Sequence, residues 1–137
     1  IRAQQVLKVK PSWDHFDNHL EHALKCGYDH QRGGLYNRGL DDQPATDTDK
    51  VWWVQSELMA ALTDGLRHKP NSAYADALEK LVAFIQKYQV NPADGIWLDT
   101  VAADGAPKST AKAHNWKANY HDVRAIVKYV EAFGGGF

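Results

Sequence analysis

The sequence predicts an all-α protein made of helical hairpins, with about four helices and two short β-hairpin-like loops. Three observations carry this expectation. Apolar residues recur at spacings of three and four over long stretches. Two segments rich in glycine and aspartate interrupt them. Those segments also resemble each other: Gly33-Gly34-Leu35-Tyr36 leads to Asp41-Asp42 and Pro44, and Gly95-Ile96-Trp97-Leu98 leads to Asp104-Gly105 and Pro107. A repeated helix–loop unit suggests stacked hairpins with their loops at one end.

The first helix is expected to start at Ser12, an N-cap residue, and to carry Trp13, Phe16, Leu20 and Leu24 on one stripe. Gly27 is expected to close it in the left-handed conformation. Gly34 to Arg38 reads as an extended piece, and Thr46, Asp47 and Asp49 are candidate caps for the next helix.

The second helix is expected over Lys50 to Leu66. Trp52, Gln55, Met59, Leu62 and Leu66 share one face, and Trp53 and Glu57 share another. The third starts near Ser72, carries Tyr74, Leu78, Leu81, Ile85 and Tyr88, and stops at Asn91-Pro92. A hairpin turning at Asp104-Gly105 follows. The last helix begins near Ala118 or Asn119 and places Tyr120, Val123, Val127 and Val130 on one broad face. The broad apolar faces of the second and last helices call for further neighbours. The chain divides into a poorly ordered or linker-like start (1–11), a helical part (12–133) and a flexible tail (134–137).

The 137 residues carry a formal net charge of −1, which leaves no basic excess for a nucleic-acid partner. Apolar runs are too short for a membrane span. The one cysteine, Cys26, excludes an intrachain disulfide and fits a reducing compartment such as the cytoplasm. Five tryptophans and six tyrosines can serve core packing, or can stack on sugar C–H faces.

His121 is the leading candidate for chemistry. It lies at the start of the last helix with Arg124 three residues on, so the two share a helical face. A helix N-terminus favours the neutral imidazole that a general base needs. Its alternative is a structural histidine, with Arg124 paired to an acid. One of Trp52 and Trp53 can face a cleft while the other enters the core, or both can be core. Glu57 can orient a histidine, bind a hydroxyl or make a structural ion pair. Trp116 can wall a sugar site or seal helix ends, and Trp97 reads as hairpin packing. His15, His19 and His22 lie at helical spacing but match no zinc motif, so no metal or cofactor is expected.

These motifs together resemble the N-acylglucosamine 2-epimerase and cellobiose 2-epimerase family. The resemblance rests on Gly27-Tyr28-Asp29, Gly33-Gly34-Leu35-Tyr36, Lys50-Val51-Trp52-Trp53-Val54-Gln55-Ser56-Glu57, Gly95-Ile96-Trp97, Asp104-Gly105-Ala106-Pro107 and Trp116-Lys117-Ala118-Asn119-Tyr120-His121-Asp122-Val123-Arg124. It is expected to involve only the carboxy-terminal third of that family's domain.

The resemblance implies part of an (α/α)6 toroid, an incomplete barrel, acting without cofactor on a mono- or disaccharide. His121 would match one of two histidines that move a proton beside the open-chain carbonyl. Trp52, Trp53, Glu57, Trp116 and Arg124 would line the substrate pocket. The family's upstream Gly-His-x-x-Glu-type element has no counterpart here, so the chain by itself is expected to be inactive. It can be a fragment, a subunit that joins a missing barrel segment, another chain or its own copy, or a degenerate module. Its competing functions are non-catalytic carbohydrate binding and helical protein interaction.

Overall fold

A computed structural model describes residues 1–135; the last two residues of the expected tail lie outside the described residues. The order is α1 (Arg2–Val6), α2 (Trp13–Cys26), β1 (Lys50–Val51), α3 (Trp52–His68), α4 (Ser72–Phe84), a π-helical turn (Ile85–Gln89), β2 (Thr100–Val101), β3 (Pro107–Ser109) and α5 (Tyr120–Phe133). The fold is therefore all-α with a small open sheet, consistent with an incomplete (α/α) toroid. A short helix, α1, occupies part of the segment read as a linker-like start. No helix among the described residues is long and apolar enough to cross a membrane.

α3 is the axis of the molecule. Met59 and Leu62 on its buried face are fully enclosed, each stabilising by about 1.5–3 kcal/mol relative to exposure. They meet Leu20 and Leu24 of α2, Tyr74, Leu78 and Leu81 of α4, and Ala125 of α5. Gly65 lets the Tyr74 ring come close: a Cβ there would lie 3.1 Å from the ring. Asp17 of α2 accepts bonds from Tyr74 Oη (3.1 Å) and from Lys69 Nζ (2.6 Å), tying three elements at one end.

Two helix ends differ from their expected chemistry. Gly27 has φ −118°, not a left-handed value; it is small because a Cβ would press on Leu35 Cδ1 at 3.2 Å. Neither Thr46, Asp47 nor Asp49 caps α3. Its cap is Val51, because β1 runs directly into the helix, and the Asp99 carbonyl accepts the Trp52 N–H at 2.9 Å. α4 is capped by Asn71, whose Oδ1 accepts from the N–H groups of Ala73 and Tyr74.

The repeated loop is real at the level of single bonds. In the first loop the Asp29 N–H donates to the Gly34 carbonyl (2.9 Å) and the Gly33 N–H to the Asp29 carbonyl (2.8 Å). In the second the Asn91 N–H donates to Ile96 (2.9 Å) and the Gly95 N–H to Asn91 (2.8 Å). Bridges Tyr28–Leu35 and Val90–Trp97 close the two loops. Gly33 and Gly95 take the same left-handed turn, at φ +81° and +75°. Beyond the second loop, β1, β2 and β3 form an antiparallel sheet in that order, with an irregular register at Thr100/Val101.

The first loop is pinned from below. Lys50 is fully buried, and its ammonium donates to Asp29 Oδ2 (2.8 Å) and to the Gly33 carbonyl (2.7 Å). The ammonium also lies 4.0 Å from the centre of the Phe84 ring. Asp29 Oδ1 accepts from the N–H groups of Gln31 and Arg32. Burial pushes the Asp29 carboxyl up, but the Lys50 bond and these backbone bonds outweigh it and hold it below the usual range. At Lys50 burial acts the other way and lowers the ammonium against the pull of Asp29. The number of donors on Asp29 makes an ion pair the consistent description. Gln55, also fully buried, clamps Leu35 through both its N–H (2.8 Å) and its carbonyl (2.7 Å).

Removing the Lys50 ammonium leaves Asp29 buried and unpaired, which costs about 3–5 kcal/mol. Lys50→Ala is therefore expected to lower the urea midpoint steeply. Gly33→Ala is expected to destabilise by more than about 1 kcal/mol, since its φ is positive and its Cβ would fall 2.3 Å from the Lys80 carbonyl oxygen. Urea unfolding followed by circular dichroism measures both.

Candidate active site

α3 and α5 pack along each other with their first turns at the same end. His121 is the second residue of α5, and Glu57 lies in the second turn of α3. Glu57 Oε1 meets His121 Nδ1 at 2.6 Å and also accepts from Arg124 Nη2. All three side chains are partly open to solvent. The Trp53 ring stands 6.2 Å from the His121 ring, centroid to centroid, and is itself exposed. The Tyr120 ring lies 5.2 Å from the His121 ring, and the Arg124 guanidinium lies over the Tyr120 ring.

The charge of Glu57 fixes the histidine tautomer. Burial raises its carboxyl, but the hydrogen bonds and charges of His121 and Arg124 outweigh burial and bring it below the ordinary 4.5. An ionised carboxylate has no proton to donate. The hydrogen in the short contact is therefore on His121 Nδ1, and Nε2 is the nitrogen left to take a proton when the ring is neutral.

The two adjacent tryptophans separate. Trp53 is exposed, whereas Trp52 is a core residue at 4% exposure. The Trp52 ring packs edge-on against His114 and carries Lys117 Nζ 5.6 Å from its centre. Its indole is thus part of the floor beneath the loops and not of an open wall. Trp116 is the opposite case, at 86% exposure. Its loop is held by His114 and Lys117. His114 Nδ1 accepts the Trp116 N–H (3.2 Å), so Nε2 carries the hydrogen given to Asp99 Oδ1 (2.9 Å). Buried Lys117 donates to the Lys112 carbonyl (3.0 Å). Lys50 and Lys117 each precede a helix start by two or three residues, which is the one pattern that could have flagged them.

α5 buries a side other than its valine stripe. Asp122 and Ala125 face inward, with Ile126 and Tyr129 packed beside them. Tyr120, Val123, Val127, Val130 and Phe133 are exposed along the other side. The apolar stripe predicted on α5 therefore has no cover among the described residues.

The site thus combines a sheet-backed loop layer, two parallel helix starts and a histidine bonded to a carboxylate. The chain belongs to the N-acylglucosamine 2-epimerase (GlcNAc 2-epimerase) family, whose profile matches residues 15–125. That span is nearly the whole chain, and it overturns the expectation of a match confined to the family's carboxy-terminal third. A cellobiose 2-epimerase from Eubacterium cellulosolvens is 26% identical over 87 residues, covering 63% of this chain and 22% of that protein.

Two solved structures share the fold. A D-mannose isomerase superposes with a TM-score of 0.74 at 24% identity, over 81% of this chain and 28% of the other. Cellobiose 2-epimerase from Bacillus thermoamylovorans superposes with a TM-score of 0.70 at 25% identity, over 86% and 29%. The chain spans between about a fifth and a third of the curated relatives it matches, from 22% to 30% of their length.

The Glu57 linkage has a definite sign. A carboxyl lowered by folding contributes stability that is present above its unfolded value and is lost as pH falls through its lower folded value. Wild type is expected to lose melting temperature between about pH 5 and about pH 3 more steeply than Glu57→Gln. Thermal melts of the two proteins across that range measure the difference; parallel curves would show that the contact contributes nothing.

Proposed function

We propose that this chain supplies one proton-transfer group and one wall of a sugar 2-epimerase or aldose–ketose isomerase site. The observation that carries the reading is the His121 Nδ1 contact to Glu57 Oε1 at 2.6 Å. It makes Nε2 a base held in one tautomer by a neighbouring carboxylate.

In this reading an open-chain sugar lies against the exposed Trp53 and Trp116 rings. His121 Nε2 takes the proton from the carbon next to the carbonyl, and the electron pair moves into an enediolate. Return of a proton to the opposite face of the same carbon gives the 2-epimer; return to the neighbouring carbon gives the ketose or aldose isomer. Glu57 is a positioning residue that holds the imidazole, and Arg124 in turn holds Glu57; their exposed edges can also meet sugar hydroxyls. Neither route calls for a metal or an organic cofactor. Both need a second acid–base group on the far side of the sugar, which the family supplies from a second histidine. For that reason the chain alone is proposed to bind sugar without turnover.

A second reading is favoured by the exposed Val123, Val127, Val130 and Phe133 on α5: this face packs on another helical segment of the family domain or on a partner chain, which completes the barrel. Such packing and the sugar-site reading are compatible.

Two measurements test the proposal. Nitrogen-15 shifts of His121 are expected to report the Nδ1–H tautomer, and Glu57→Ala is expected to give a mixture of tautomers. Incubation with D-mannose and with cellobiose in deuterium oxide is expected to leave the C2 proton unexchanged while the Trp53 and Trp116 indole signals shift. Strong exchange that disappears in His121→Ala would overturn the inactivity of the isolated chain. Unshifted indole signals at saturating sugar would overturn the sugar wall.

A further inference from the structure

Away from this site, His22 and Cys26 lie one helical turn apart on the exposed side of α2, and the loop after Gly39 brings Asp42 over them. We propose that these three residues form a binding site for a zinc-like divalent cation. The imidazole nitrogen, the thiol sulfur and a carboxylate oxygen all lie within 4.8 Å of one another.

The spacing suits a tetrahedral ion. Metal–nitrogen and metal–oxygen bonds of about 2.0–2.2 Å set a ligand–ligand edge of about 3.3–3.5 Å. His22 Nδ1 and Asp42 Oδ1 stand 3.3 Å apart, already at that edge. The sulfur must approach to about 3.6 Å of the other two donors, a movement within reach of rotation about the Cys26 Cα–Cβ bond. Thiolate, imidazole and carboxylate in one set select a borderline-soft ion over magnesium or calcium, which prefer oxygen donors. Thiolate and carboxylate together balance the two positive charges, and the thiol proton passes to solvent on binding. Water fills the fourth position.

The histidine triplet conspicuous in the sequence is not this site. His19 Nδ1 is engaged with the His15 carbonyl at 2.8 Å, and the His15 and His19 rings pack edge-on against each other. His22 instead turns towards the loop. The ion would fasten that loop to α2, and the loop runs on through Asp47 and Asp49 into β1.

Titration of the metal-free, reduced protein with cobalt(II), then zinc, tests the proposal. One cobalt per chain is expected, with a thiolate-to-cobalt charge-transfer band that zinc displaces. Cys26→Ser is expected to abolish the band and His22→Ala to weaken binding by about tenfold or more. Asp42→Asn is expected to weaken it as well, whereas His15→Ala and His19→Ala leave it unchanged. Circular dichroism checks that each variant is folded. Absence of the charge-transfer band in the wild type, or cobalt binding that survives Cys26→Ser with the same affinity, would overturn the site.

Discussion

Lys50 and Asp29 meet with almost no water around either. Every other feature of the loop layer leans on that contact. The ammonium joins a loop between α2 and β1 to the strand that opens α3, and its second bond holds the left-handed turn at Gly33. Gln55, one turn into α3, then fixes Leu35 at the end of the same loop. Buried charge of this kind is costly unless every partner is present. Here the Asp29 carboxylate accepts three bonds, from the Lys50 ammonium and the main-chain N–H groups of Gln31 and Arg32, and the cost is offset by their geometry. The start of α3 is thereby held in place, and with it Trp53 and Glu57.

The site shows how a modest arrangement of charges selects one histidine chemistry. Glu57 serves two donors at once, and the competition between burial and those donors ends with an ionised carboxylate. Its charge leaves His121 one available nitrogen. The same carboxylate bonds Arg124, so α3 and α5 are coupled where the proposed chemistry occurs. Lys128 and Asp64 add a second ion pair between the same helices, two turns further along. These polar contacts set the register of α3 against α5, while the side chains around Ala125 supply burial.

Helix existence was legible because period and burial agree: the stripe of Tyr74, Leu78 and Leu81 is the buried face of α4. The loop repeat was legible too, since a left-handed turn needs glycine and Gly33 and Gly95 mark equivalent positions. Helix caps were less so. Asp47 and Asp49 have the right chemistry for a cap but are spent on Asn37 and Lys108, while the Asp99 carbonyl, just before β2, serves α3. The partners of His114 were not legible for a similar reason: Asp99 and the Trp116 main-chain N–H come from different turns of the chain.

The sequence by itself determined the helical class, the family and the residues that could carry chemistry, because periodicity, glycine conformation and side-chain type are local properties. Only the tertiary structure decided which of two neighbouring tryptophans faces solvent, which acid serves His121, which side of α5 is left uncovered, and that Asp42 is brought to His22. Each of those depends on the distance between atoms far apart along the chain. Composition constrains such distances weakly; the packing of α3 against its neighbours sets them.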